Sequence, residues 1–250
     1  MEVRYEKHWS GHLNRWMEFK IYGSTGKPVL FIPCQAGRFW DFEGFNMDKT
    51  WAPWIESGQV MVFSCDSIDN EAWAAVGQDK RWRIENHERW FNYITTELVP
   101  AIKHIAGLAN GYDQGILTFG ASMGAMHAAN LYYRRPDLFD SCFAISGLDD
   151  NKEFFGDYCD DLVYNNCPAF YLANIPEDHF YMDMYRNQKS LIVIGQGAWE
   201  EPLLESPRIL DTVCCRRGIP TRFEYWGHDV NHDWPWWHKM VPTYLPWLLG

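Results

Sequence analysis

The chain is short of positive charge. Against 33 Asp and Glu it has 22 Lys and Arg, a formal net charge of -11, and no basic cluster offsets the imbalance. Nucleic acid and anionic membrane surfaces repel such a protein, so neither is an expected partner. No apolar run is long enough to span a bilayer. The opening residues, Met1-Glu2-Val3-Arg4-Tyr5-Glu6, put charges where a secretory leader needs an apolar stretch, so no signal peptide is expected. The cysteines are odd in number, at positions 34, 65, 142, 159, 167, 214 and 215, and none forms a C-x-x-C pair. That pattern offers no metal site and favours free thiols in a reducing cytoplasm. Repeats, low-complexity tracts and linkers are also missing.

Apolar and aromatic residues are plentiful. Hydrophobic residues make up 47% of the 250 positions, enough for a sizeable core in one α/β domain spanning 1–250. Aromatics reach 17%, with 14 Trp. Two aromatic clusters fall in expected loops, Phe39-Trp40-Asp41-Phe42 and Trp234-Pro235-Trp236-Trp237. Such clusters either wall a ligand site or pack the domain.

Two strands are expected first, Val3–Trp9 and Trp16–Tyr22, joined by a turn at Ser10-Gly11-His12. From residue 28 onward, strands and helices alternate. Pro28–Pro33, Gln59–Cys65, Asp113–Phe119, Phe139–Ser146, Ser190–Ile194 and Arg222–Trp226 read as strands. Asp48–Ser57, Arg83–Ile105 (kinked at Pro100), Ala125–Tyr133 and Pro207–Arg217 read as helices, the last closed by Gly218. A final helix is expected near Trp236, interrupted by Pro242 and Pro246. The segment from about 151 to 188, rich in Asp, Asn, Tyr and Pro, reads as an irregular, cap-like insertion. This alternation predicts a mostly parallel sheet with helices on both faces. Ligands of such sheets bind beyond the carboxyl ends of the strands.

At one of those ends lies Gly120-Ala121-Ser122-Met123-Gly124, a G-x-S-x-G sequence between a strand and a helix. This is the pattern of the nucleophile elbow. The turn is so tight that a Cβ at either Gly would collide with its surroundings, and the Ser adopts a strained backbone. Its hydroxyl is thereby held at the sheet edge, above a helix N-terminus.

A serine nucleophile needs a base, and the base needs an orienting acid, in the chain order Ser, acid, His. After the last strand come His228, His232 and His238. His232 lies in the loop before the final helix and is the preferred base. His228, two residues beyond the strand, has little slack to reach back. The acid is sought in the loop after Ser190–Ile194, where Glu201 precedes a Pro-Leu pair. Glu200 is its immediate rival, since adjacent side chains point apart and only one can face His232. The oxyanion calls for main-chain N–H donors, one from Met123 and a second from the loop after Pro28–Pro33, with Gln35 preferred over Cys34.

Several motifs together resemble the putative-esterase branch of the α/β-hydrolase superfamily, which includes esterase D, feruloyl and other carbohydrate esterases, and mycolyltransferases. They are Gly120-Ala121-Ser122-Met123-Gly124-Ala125, Arg135-Pro136-Asp137-Leu138-Phe139, Ser146-Gly147, Glu97-Leu98-Val99-Pro100-Ala101-Ile102, and His232-Asp233-Trp234-Pro235-Trp236-Trp237. The resemblance implies an α/β-hydrolase fold and independently supports His232. Two places depart from the family pattern. Pro33-Cys34-Gln35-Ala36-Gly37 stands where H-G-x-G is usual, and the acid loop is longer than G-x-x-D, with Glu in place of Asp.

The expected activity is serine carboxylester hydrolysis on a small-molecule or carbohydrate-linked ester, without metal or organic cofactor. Acyl transfer by the same triad, and a silent binding or assembly module on the same scaffold, are the rival readings. Exposed aromatics would equally suit a homo-oligomer interface. Phe154, Phe155, Tyr158, Tyr164, Tyr171 and Tyr181 of the insertion are expected to set selectivity.

Overall fold

The computed structural model describes residues 1–250. Eight strands form one sheet: β1 (Val3–Ser10), β2 (Arg15–Tyr22), β3 (Lys27–Ile32), β4 (Val60–Cys65), β5 (Ile116–Ala121), β6 (Phe139–Ile145), β7 (Lys189–Ile194) and β8 (Arg222–Tyr225). Their order across the sheet is β1-β2-β4-β3-β5-β6-β7-β8. With its helices this is an α/β-hydrolase fold. The chain forms two compact units, Met1–Leu117 and Thr118–Gly250.

In the first unit, β1 and β2 pair antiparallel, β2 pairs antiparallel with β4, and β3 pairs parallel with β4. Val29 to Ile32 and Val60 to Cys65 are fully buried, as continuous apolar runs in a sheet covered on both faces should be. The helices are α1 (Asp41–Gly44), α2 (Met47–Glu56), α3 (Lys80–Tyr93) and α4 (Val99–Asn110). The expected single helix 83–105 is divided by a π-turn over Ile94–Leu98. Pro100 follows directly on this π-turn, at the start of α4. Of the first aromatic cluster, Phe39 and Phe42 are core residues. Phe42 packs against Tyr22 and Phe31, with tilted rings at centroid distances of 4.9 and 5.0 Å. Only Trp40 is exposed, with the Arg38 guanidinium 4.6 Å over its ring.

In the second unit, β6, β7 and β8 are parallel. Helix α5 (Met123–Arg134) is buried along nearly its whole length. Segment 151–188 is less irregular than its composition implies, holding α6 (Lys152–Phe155), α7 (Asp161–Asn165), α8 (Pro168–Asn174) and α9 (Phe180–Asn187). Asp160 caps α7 by accepting from Val163 N–H at 2.9 Å, a local signal that the polar composition masks. Helix α10 (Glu205–Arg217) ends at Gly218 in the left-handed conformation. Helix α11 (Trp234–Leu249) runs through Pro242 and Pro246 without interruption. Its buried stripe of Trp237, Met240, Val241, Tyr244, Leu245 and Leu248 outweighs the hydrogen bonds that the two prolines delete. No helix is long and apolar enough to cross a membrane.

One buried group carries a stability prediction. Asp149, just after β6, is 3% exposed; its N–H donates to Ser206 Oγ at 2.7 Å, while its Oδ2 has no hydrogen-bond partner. Burial, reinforced by the neighbouring Asp150, pushes its carboxyl up to about 7. A group whose folded value is raised contributes stability that is full below the unfolded value and is lost as pH climbs through the folded one. The cost of Asp149 therefore grows between about pH 4 and pH 7, to about 4 kcal/mol at neutral pH. Asp149→Asn should raise the melting temperature at pH 7.5 and leave it nearly unchanged at pH 4, checked by thermal denaturation at both values.

Candidate active site

The site is built at the carboxyl ends of β5, β6, β7 and β8. Ser122 follows β5 with φ 56° and ψ -128°, a left-handed backbone foreign to non-glycine residues. Its surroundings over-determine that conformation. The Ser122 N–H donates to Ile145 O at 2.9 Å, and Ser122 O accepts from Ala125 N at 3.0 Å and Met126 N at 3.2 Å. A Cβ on Gly120 would stand 2.3 Å from the backbone of Gly124, so the strand can meet the helix only through glycine. Met123 opens α5, where first-turn N–H groups lack partners within the helix.

His232 lies between β8 and α11. Its Nε2 is 2.9 Å from Ser122 Oγ, and its Nδ1 is 3.0 Å from Glu200 Oε2. The structure brings His232 to Ser122 and Glu200 to His232, and does not bring Glu201 there. Glu200 is fully buried beneath the imidazole, while Glu201 is exposed and lines an open groove of about 710 Å³ beside α10, together with Arg208, Arg216 and His228. A carboxylate can only accept, so Nδ1 carries the proton and Nε2 is left to accept from the Ser122 hydroxyl.

The choice between the adjacent glutamates is made by the loop backbone. Glu200 N–H donates to Gly197 O at 3.1 Å, closing a turn in which Trp199 takes φ 66°. That turn rotates residue 200 inward and residue 201 outward. Glu200 is then held by two further groups, one of them anchored in turn by Trp237. The Ser146 hydroxyl donates to its Oε1, Gly195 N–H approaches the same oxygen at 3.4 Å, and Trp237 Nε1–H donates to Ser146 Oγ at 3.1 Å. The Trp237 ring also stands edge-on to His232, at 5.0 Å and 87°. Ser146 and Trp237 were legible only as letters of the S-G and H-D-W-x-x-W motifs, with no role attached. A signal for Glu200 was present as well. Counted from Gly197 rather than Gly195, the loop reads Gly197-Ala198-Trp199-Glu200, a G-x-x-acid spacing.

The acid loop and the histidine loop are fastened together. Gly197 N–H donates to Val230 O at 2.8 Å, Ala198 N–H to Asn231 Oδ1 at 2.9 Å, and His232 N–H to Ala198 O at 3.0 Å. A Cβ on Gly197 would fall 2.4 Å from Asn231 Oδ1 and 2.7 Å from Val230 O, so this approach requires glycine.

The remaining expectations divide. His228 is exposed and His238 packs 6.1 Å from the Trp234 ring. Trp237 is buried at 3% exposure, so the second aromatic cluster is partly core. Gln35 lies on a turn closed by Gly37 N–H donating to Cys34 O at 2.8 Å. Three of the six insertion aromatics lie away from Ser122. Tyr164, Tyr171 and Tyr181 line a cavity of about 390 Å³ with Tyr133 and Arg134, at the far end of α5. At ~1.5 Å of rise per residue that end is about 17 Å along the helix from Met123.

A comparison with curated protein sequences finds no match. The Putative esterase family matches residues 10–248. Among solved structures, the chain is similar to a ferulic acid esterase (16% identity, TM-score 0.74, covering 99% of this chain and 97% of that one). It is also similar to an S-formylglutathione hydrolase from Staphylococcus aureus (11%, 0.67, 100% and 99%) and to MPT51 from Mycobacterium tuberculosis (14%, 0.69, 99% and 98%). These identities speak to the fold, and the family match covers nearly the whole chain. The chain belongs to the Putative esterase family, and is a carboxylesterase-type hydrolase.

Proposed function

We propose that the enzyme cleaves carboxylic esters through an acyl-enzyme formed on Ser122. The observation that carries this reading is the unbroken hydrogen-bonded series from Ser122 Oγ through His232 to the buried Glu200. Ser122 attacks the ester carbonyl while His232 Nε2 takes its proton. Glu200 holds the imidazole tautomer and offsets the charge of the imidazolium. The main-chain N–H of Met123 stabilises the tetrahedral oxyanion. In this reading the second donor is a main-chain N–H of the loop after β3, that of Gln35 in preference to Cys34. His232 then protonates the leaving alcohol, and water attacks the acyl-enzyme by the same route in reverse. The substrate is a small-molecule or carbohydrate-linked ester.

A fluorophosphonate probe tests the reading. Labelling should be stoichiometric and should map by peptide mass spectrometry to the peptide containing Ser122, with hydrolysis of p-nitrophenyl butyrate abolished in step. An unlabelled protein, inactive on simple esters, would favour a silent binding module on this scaffold.

A further inference from the structure

Strand β1 lies at one edge of the sheet, paired with β2 on one side and with no strand on the other. Such an edge offers a row of unpaired main-chain groups to another strand, and proteins blunt it by shortness, proline or a bulge. The opposite edge, β8, is short, at four residues. Strand β1 runs for eight residues, Val3–Ser10, without proline or glycine, and its continuous register with β2 leaves no bulge. That register fixes which residues face outward. Gly23 N–H donates to Glu2 O at 2.9 Å, and antiparallel hydrogen-bonded pairs alternate, so the even-numbered residues of β1 direct their main-chain groups to β2. The N–H and C=O groups of Val3, Tyr5, Lys7 and Trp9 therefore point to the free edge. Three of these residues also carry exposed apolar side chains: Val3 is 47%, Tyr5 50% and Trp9 52% exposed. Trp9 stands edge-on to the exposed Trp16 of β2, at 5.7 Å.

The charges along β1 say what can pair there. Two copies of the strand related by a two-fold axis run antiparallel. Residues directly opposite one another share a face, so the axis must pass through a residue. An axis at Arg4, Glu6 or Lys7 sets that residue's charge against itself. An axis at His8 leaves Glu6 and Lys7 facing Ser10 and Trp9, with no opposite charge, and runs into the turn after Ser10. An axis at Tyr5 sets Tyr5 against Tyr5, Arg4 against Glu6, Glu2 against His8, and Val3 against the apolar stem of Lys7. The charged residues Arg4 and Glu6 are then complementary twice over. The outward-facing Val3, Tyr5 and Lys7 fall in hydrogen-bonded pairs, each exchanging both main-chain bonds. We propose that β1 is a homodimer interface, at which two copies of this chain join their sheets edge to edge and antiparallel about a two-fold axis at Tyr5.

Sedimentation velocity tests the association. A strand edge buries less than a standard interface, so wild type should pass from monomer to dimer between about 1 and about 100 μM. Arg4→Glu and Glu6→Arg each turn the two opposite-charge pairs into like-charge ones. Each should raise the dimer Kd about ten- to hundredfold, and the double variant should return to within about threefold of wild type. Arg4 and Glu6 are partly exposed, so the variants should keep the wild-type circular dichroism spectrum. Cross-linking reads the register independently. With the exposed Cys159 and Cys215 replaced by Ser, Tyr5→Cys should form a disulfide-linked dimer on oxidation, because a hydrogen-bonded pair sets its Cα atoms about 5.5 Å apart. Lys7→Cys should not, since its two copies stand four residues out of line, about 13 Å apart. A wild type still monomeric at about 100 μM, charge reversals that leave the dimer intact, or a double variant no better than the single ones would overturn the interface. Failure of Tyr5→Cys to cross-link, or cross-linking through Lys7→Cys instead, would overturn the axis at Tyr5.

Discussion

Replacing Ser122 by Ala should lower kcat on p-nitrophenyl butyrate by on the order of 10⁴-fold or more, and His232→Ala should do the same. In the proposed mechanism Ser122 supplies the attacking oxygen and His232, whose Nε2 stands 2.9 Å from it, is the base. Without either, only oxyanion stabilisation and substrate binding remain. Because the two groups act as one unit, the double variant should be scarcely worse than either single one. His228→Ala is the control. That residue is exposed and should leave kcat within about twofold of wild type, although it shares the loop. Steady-state kinetics with circular dichroism of each variant separates loss of chemistry from loss of fold. Full activity in Ser122→Ala would sink the acyl-enzyme mechanism.

The second large effect distinguishes two adjacent residues. Glu200→Gln should cost about 10³- to 10⁴-fold in kcat, while Glu201→Gln should stay within about twofold. Gln has the shape of Glu, but its carboxamide lacks the charge that stabilises the imidazolium. Its NH₂ can also donate to Nδ1 and so favour the wrong tautomer. Glu200 is buried with His232 and Ser146 around it, whereas Glu201 faces an open groove. The reverse pattern in the two variants would return the acid to Glu201.

The two cases differ in how legible they were. The elbow was readable because its constraint is local. A strand, a turn with no room for a Cβ, and a helix are all consecutive in the chain, and Gly120 shows the clash that enforces the pattern. The place of His232 beside Ser122 was readable because chain order and the H-D-W-x-x-W motif agreed. Which of the two adjacent glutamates faces it was not. Side-chain direction in a turn depends on its φ values, and nothing in Trp199 announces a left-handed residue. The course of α11 was misjudged for a related reason. Proline is a local signal, and burial of the stripe from Trp237 to Leu248 is a tertiary one that overrides it.

The sequence by itself determined the alternation of strands and helices, the strand-turn-helix elbow at Ser122, the place of His232 between the last strand and the last helix, and the acidic net charge. These rest on periodicity, spacing and net charge, which are properties of neighbouring residues or of sums over the chain. Only the tertiary structure decided that Glu200 is the buried partner of His232, that Ser146 and Trp237 hold it, and that Trp199 stands exposed beside them. Those facts depend on which way a turn rotates and on what packs beneath it, and both are settled by contacts between segments from 30 to 110 residues apart in sequence, as in the links from Glu200 to His232 and from Ser122 to His232.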